Sequence, residues 1–566
     1  MSFHPSVYPN FVAEDSVARS RLFLQYQSPR NDFDLIVIGS GMGGGILADE
    51  LADRAAGSRR ILVLEAGAFL YPTHVFNICR FPNADVARHF GVDNFWRHGG
   101  SASSHYIHER PQMNFGGRSI FWSGLIPMLQ PWELEFFPPQ VRADLGAGHY
   151  LDEAGERMNE SRTMGTTARA IVDALRLSPL GQDFVIEETP RALHQPYLTR
   201  EGQARDQFFV EPSGVFNTAE LLINQAGLTP GVSHGDGPGL HLLLNHFVED
   251  VQRHHDGRLQ LVVRNCLNGQ IRFLQAGTVI LVGGSIESPK LLRRSSLFPT
   301  LPASVRAFAG RGLTDHPTTD WIDTHVTHLG PVAIPRDAHA KIVFYSREHR
   351  DAGGRILYPF NVEMNLNHEY WHLRENDPNA LATPITATGD SILEIKFSFG
   401  NCLDDGNQIK DPPPFQYVPE IVFRNQNWID HLAGSRFPAL AGWQKSHGEI
   451  FDVLNDVTLR IFSQFQRHGS AARPFTKDGR EIWFGDDHKD FGLGTVHHAI
   501  GTLRMPFRQR YDAPFQGDSV VDENLQVVGA PGLYACDMSV MPFSAAVNPV
   551  RALAALALRL ARRLTP

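Results

Sequence analysis

Five glycines in seven residues, Gly39-Ser40-Gly41-Met42-Gly43-Gly44-Gly45, follow directly on an apolar run, Phe33-Asp34-Leu35-Ile36-Val37-Ile38. The run is apolar enough to be a strand buried on both faces, as the central strand of a parallel sheet must be. Gly39, Gly41 and Gly44 fit G-x-G-x-x-G: a tight turn, a close backbone approach to a pyrophosphate, and close packing of helix on strand. A helix predicted from Ile46 to Asp53 then points its amino end at the phosphates. A second strand, Arg60-Ile61-Leu62-Val63-Leu64, delivers Glu65 about 21 residues past Gly44, where an acid can take the hydroxyls of an adenosine ribose. The same acid repels a ribose phosphate, so NADP is disfavoured while FAD and NAD remain.

At 566 residues the chain is too long for one ordinary core, and two domains, or one domain with a large insertion, are expected. Lys plus Arg total 52 against 61 for Asp plus Glu, a net charge of −9 with no basic block, which argues against nucleic acid as a partner. Cys79, Cys266, Cys402 and Cys536 are scattered, which predicts reduced, mostly buried thiols rather than a disulfide framework or metal knuckle. Met1 to Arg30 lacks a basic start followed by an apolar core, and the apolar helix Val550 to Leu564 carries Arg551, Arg559, Arg562 and Arg563. No secretory signal and no membrane span are therefore expected, and a cytoplasmic enzyme is the default.

Past Glu65 the pattern is irregular to about residue 130, a stretch long enough to wrap a ligand. Strands return at Leu240–Leu244, Leu259–Val263 and Thr278–Val282, the last running into Gly283-Gly284 and a helix starting near Ser285. From about 316 to 490, alternation in Asn361–Asn367 and Ile392–Phe399 predicts antiparallel strands with one polar face, a usual way to build a substrate cavity.

Four further segments, read with the first, resemble the glucose-methanol-choline (GMC) family of FAD oxidoreductases. Asn114-Phe115-Gly116-Gly117-Arg118-Ser119-Ile120-Phe121-Trp122-Ser123-Gly124 is similar to the family's first signature. Gly284-Ser285-Ile286-Glu287-Ser288-Pro289 through Ser295 is similar to the second, with Ser296 where glycine is usual. His498-Ala499-Ile500-Gly501-Thr502-Leu503-Arg504-Met505 resembles the H-x-x-G-T-x-R-M segment that carries the catalytic histidine. Tyr534 to Pro542, followed by Asn548-Pro549, resembles the segment that closes the flavin site.

The resemblance implies an α/β fold: a discontinuous Rossmann-like FAD-binding domain (32–130, 230–315 and 490–566) and an inserted α+β substrate domain on an antiparallel sheet (131–229 and 316–489). It implies that Gly116, Gly117, Ser119, Trp122 and Ser123 bind the cofactor, with the glycine pair along the flavin and Ser123 near N5 and O4. It also implies that Val248 meets the adenine side, that Asp537 bonds the ribityl and phosphate region, and that Asn548 and Pro549 border the flavin. Phe121 stands where pyranose oxidases carry a histidine bonded to the flavin, so the FAD is expected to be non-covalent.

Oxidising an alcohol requires a base for the hydroxyl proton, and histidine suits it because its ordinary pKa lies near working pH. His498 is the expected base and Asn548 the second polar partner, the His/Asn form that resembles cellobiose dehydrogenases, cholesterol oxidases and pyranose oxidases. Asn548 also reads as an N-cap, with Pro549 at the first helical position. The expected reactants are a small alcohol, a sugar or glycoside among the options, and oxygen or another electron acceptor. His368-Glu369-Tyr370-Trp371-His372 spells H-E-x-x-H, but it lacks a surrounding amphipathic helix and a third ligand, so no metal is expected. Two other readings stay open: a redox-neutral lyase on the same fold, and a non-catalytic flavoprotein or assembly subunit.

Overall fold

The computed structural model describes residues 30–70, 74, 97–99, 112–161, 166–193, 215–228, 237–316, 318–319, 321–327, 330–332, 340–347, 360–367, 391–410, 420–422, 447–469, 475–477, 480–483, 497–508 and 514–566. Its principal strands are, in chain order, β1 (Asp32–Ile38), β2 (Arg60–Leu64), β3 (Phe184–Glu188), β4 (Gly239–Leu243), β5 (His246–Arg253), β6 (Leu259–Asn265) and β7 (Ile271–Leu281). There follow β8 (Ile322–Val326), β9 (Ala340–Ser346), β10 (Phe360–Leu366), β11 (Ser391–Phe399), β12 (Arg467–Gly469) and β13 (Leu533–Ala535). The helices that matter for the site are α1 (Met42–Ala55), α2 (Pro131–Leu134), α3 (Gly284–Arg294) and α4 (Val550–Leu564).

Seven strands make the first sheet, in the order β4-β2-β1-β7-β6-β5, with β13 also paired to β7. β1 lies parallel to both β2 and β7, and Leu35, Ile36 and Val37 are almost wholly buried, as its apolar composition requires. β7 serves two neighbours on one side: its start pairs antiparallel with β6, and Val279 to Leu281 pair parallel with β13. Strands from three distant stretches of sequence therefore share one sheet, and their carboxyl ends meet where Gly39, Glu65 and Gly283 follow.

The second sheet is antiparallel throughout, in the order β12-β8-β11-β10-β9-β3. Register places Glu363 beside Lys396, and Asn361 beside Ser398, on one polar face, while Val362, Met364, Ile395 and Phe397 share the apolar one. Burial would raise the Glu363 carboxyl, yet Lys396 and Lys341 hold it down to about 2. Their ammonium groups lie 3.5 and 3.3 Å from it.

α4 packs on α1 and closes the first sheet's core. Two of its four arginines turn inward: Arg551 forms a two-point ion pair with Glu160 (2.8 and 2.7 Å), and Arg559 meets Asp144 at 2.7 Å. Among the described residues no helix is long and apolar enough to cross a membrane. Cys402 and Cys536 are buried thiols, Cys266 is an exposed one, and Cys79 lies outside the described residues.

Candidate active site

A cavity of about 280 Å³ opens at the carboxyl ends of β1, β2 and β7. Gly39, Gly41, Glu65, Gly117, Val248 and Asp537 all line it, which brings together the turns after β1, β2 and β13, a residue of β5 and the Gly117 turn. The three glycines of the fingerprint are held to different tasks. Gly39 turns the chain at a φ of 118°, open to glycine alone. A Cβ on Gly44 would sit 2.2 Å from the Gly39 carbonyl oxygen, so that residue lets α1 approach the strand and does not itself line the cavity. A Cβ on Gly41 would meet nothing within 4 Å and would project into the cavity.

Gly41 is also the N-cap of α1 and supplies no side-chain cap, so the helix presents bare amides to the cavity, as an anion-binding site does. Glu65 is fixed beside the glycine turn: Ser40 Oγ donates to it at 2.6 Å and the Gly67 amide at 2.8 Å. Burial raises its pKa. Asp537 accepts the amides of Gly284 and Ser539, each at 2.8 Å, and the Ser288 hydroxyl. A cradle that a Cβ would fill, an uncapped helix start and an acid at the end of β2 fit a dinucleotide with free ribose hydroxyls.

Not every expected residue reaches this cavity. The Gly116 amide donates to Ser40 Oγ at 2.9 Å, and Gly117 lies against the Gly41 backbone, so the glycine pair braces the phosphate turn. Ser119 is buried and donates to the Gly116 carbonyl at 2.6 Å, beside the Thr218 hydroxyl. The Trp122 indole donates to the Phe216 carbonyl at 2.7 Å, and Ser123 is exposed. The His368–His372 segment lies outside the described residues.

His497 and Ala499 line the cavity wall, and His498 between them is not among the lining residues. Ile500 and Thr314 exchange backbone hydrogen bonds at 2.9 and 3.2 Å, which sets Asp315 and His316 against His498. His316 Nε2 is 2.6 Å from His498 Nδ1, and His316 Nδ1 is 3.1 Å from the Ala546 carbonyl oxygen. Asp315 accepts the backbone amides of His316 at 2.7 Å and His498 at 3.3 Å.

These contacts fix the protons. A carbonyl only accepts, so Nδ1 of His316 carries the hydrogen and its Nε2 must accept. His498 then donates from Nδ1, and its Nε2 is left with a lone pair and no hydrogen-bond partner among the described residues. Burial, reinforced by Lys396, pushes His316 down to about 4. Burial and then the neighbouring His316 push His498 well below the ordinary imidazole value. Both rings are therefore neutral at pH 7. Ligand atoms of Asp315, His316 and His498 lie within 4.8 Å of one another. Even so, 2.6 Å between ring nitrogens is a hydrogen bond, shorter than the roughly 3.3 Å that two nitrogens on a tetrahedral zinc would keep.

The cap expected at Asn548 is corrected by the structure. Pro549 is the N-cap of α4, its carbonyl accepting the Leu553 amide at 3.0 Å, and no side chain caps the helix. The Asn548 side chain, half-buried one residue earlier, is left without that bond. Sequence reasoning missed His316, one histidine among 26. Its signal was the Asp315-His316 pair just where the first sheet's pattern gives way to the second's.

The GMC oxidoreductase family model matches residues 457–557. An uncharacterized GMC-type oxidoreductase, y4nJ of Sinorhizobium fredii (strain NBRC 101917 / NGR234), is 24% identical over 558 residues, 93% of this chain and 94% of that one. Among solved structures, pyridoxine 4-oxidase from Mesorbium loti superposes with a TM-score of 0.58 at 17% identity, covering 94% of this chain and 98% of its own. The R554A variant of Aspergillus oryzae RIB40 formate oxidase gives 0.56 at 15%, covering 95% and 98%. Those two likenesses establish the fold, and the model match over residues 457–557 and the relative along nearly the whole chain make this chain similar to the GMC oxidoreductases and support an oxidoreductase enzyme.

Proposed function

We propose that this enzyme oxidises an alcohol group of a small molecule with non-covalent FAD, His498 being the base that takes the hydroxyl proton through Nε2. The observation that carries this is the hydrogen-bond chain from the Ala546 carbonyl through His316 to His498, which leaves a neutral, unprotonated Nε2 on the residue between the cavity-lining His497 and Ala499. Bound FAD supplies a two-electron acceptor for the hydride of the carbinol carbon. Gly39, Gly41, Glu65, Gly117, Val248 and Asp537 would hold it, and segments 32–130, 230–315 and 490–566 would form its domain. Segments 131–229 and 316–489 would form the substrate domain. Asn548 would bind the substrate oxygen, completing the His/Asn pair, and oxygen or another acceptor would reoxidise the cofactor.

Anaerobic mixing with a panel of primary alcohols, secondary alcohols and sugars tests the reading. Bleaching of the flavin absorbance by at least one alcohol is expected. Bound FAD that no member of the panel reduces, together with carbonyl-forming lyase turnover, would replace this reading with a redox-neutral one.

Two substitution and release experiments follow from the same site. Acid precipitation of the holoenzyme should leave FAD in the supernatant, because Phe121 offers no nucleophile. Flavin that stays with the precipitate would mean another side chain is bonded to it. Asn548→Ala should slow flavin reduction by about tenfold, the worth of one hydrogen bond. Since Asn548 caps nothing, the unfolding free energy should move by less than about 0.5 kcal/mol, read by denaturant titration.

A further inference from the structure

Glu133, on the short helix α2, is fully buried, and among the described residues no cation pairs with it. Every group that reaches its carboxylate is a main-chain amide. The Gln130 amide donates to Oε2 at 2.8 Å and the Ala546 amide to Oε1 at 2.8 Å. Amide donors on both oxygens demand a group that only accepts. A glutamine, or a protonated acid, would turn hydrogens of its own against one of them.

Ala546 joins the two sides. Its N–H donates to Glu133 at 2.8 Å, and its C=O accepts from His316 Nδ1 at 3.1 Å. The carboxylate therefore holds the residue whose carbonyl sets which nitrogen of His316 carries the hydrogen.

We propose that Glu133 is a positioning residue for His498: through the backbone of Ala546 and through His316, its carboxylate keeps the hydrogen of His498 on Nδ1 and Nε2 bare. Glu133 touches neither substrate nor cofactor in this scheme. Its effect is exerted on which nitrogen of a remote ring holds a proton. Burial lifts its pKa to about 7, so the charge that does this sits close to its own titration point. The proposal rests on His498 being the base, and its test separates the two ideas.

The FAD-bound protein, labelled with ¹⁵N-histidine, is examined by NMR, and the His498 resonances are assigned by their loss in His498→Gln. In the parent protein Nδ1 should be the protonated nitrogen. Protonated Nε2 there would overturn the relay whatever any variant does. In Glu133→Gln the fold and FAD should be kept, the Nε2-protonated form should grow, and anaerobic flavin reduction at saturating substrate should slow by about tenfold to a hundredfold with substrate affinity unchanged. Adding Glu133→Gln to His316→Gln should cost nothing further, because both act on one chain. An unchanged tautomer in Glu133→Gln, or effects of the two substitutions that multiply, would reduce Glu133 to an anchor of the loop. If instead His498→Ala reduces flavin at the parent rate while the tautomer still follows Glu133, the relay stands and the assignment of the base fails.

Discussion

His498→Ala is expected to retain FAD and the fold while anaerobic flavin reduction by substrate slows by about two to four orders of magnitude, the usual worth of a positioned acid–base group. The cavity explains why the cofactor stays. His498 is not among its lining residues, whereas His497 and Ala499 on either side are. The fold bears the loss because the substitution strands one buried acceptor, His316 Nε2, at about 1–3 kcal/mol. The same substitution at His497 should do far less to the rate. That side chain is exposed and sits on a backbone with a φ of 60°. Stopped-flow absorbance on the two variants decides the matter. The opposite order of effects would place the base one residue earlier and would remove the meaning given to the His316 contact.

Gly41→Val is expected to yield a folded protein that holds no FAD. The backbone at Gly41 has a φ of −64°, which any residue adopts, and an added Cβ meets nothing within 4 Å. No strain therefore opposes the substitution in the free protein. The branched side chain instead occupies the space at the amino end of α1 where a pyrophosphate would lie. Purification without yellow colour, with unfolding at the parent apoprotein's temperature, is the expected pair of results. Near-normal FAD content would move the phosphates elsewhere. Gly44→Ala makes the contrast, since there the new methyl meets the Gly39 carbonyl and the cost falls on the fold itself.

Local pattern made the first strand–turn–helix–strand unit legible. Gly39, Gly41, Gly44 and Glu65 are tied by short-range geometry, and the structure has β1, α1 and β2 around them, with Gly39, Gly41 and Glu65 lining the cavity. β9 was missed because Ile342-Val343-Phe344-Tyr345 runs without a polar alternation to read, whereas β10, just as buried, alternates in Asn361-Val362-Glu363-Met364-Asn365. Ser119 and Trp122 matched a motif whose side chains spend their hydrogen bonds on Gly116, Thr218 and Phe216, contacts that no spacing announces. Asn548 misled because Asn-Pro before an alanine-rich run looks like a cap, and the helix starts one residue later. His316 and Glu133 were out of reach for a different reason. Their partners lie 182 and 413 residues away, so only the folded chain brings the relay into being.

The three-part origin of the first sheet sets a timetable for making this protein. β1 and β2 leave the ribosome early, yet β13, which extends β7, and α4, which covers α1, come roughly 500 residues later; at about 5–20 residues per second that is a wait of roughly 25–100 s. Throughout that interval the apolar flank of α1 has no lid and the Asp537 wall of the nucleotide cavity does not exist. A chain halted before residue 533 therefore lacks part of the cavity wall, which Asp537, Met538 and Leu553 supply only once residues 533–566 have been made.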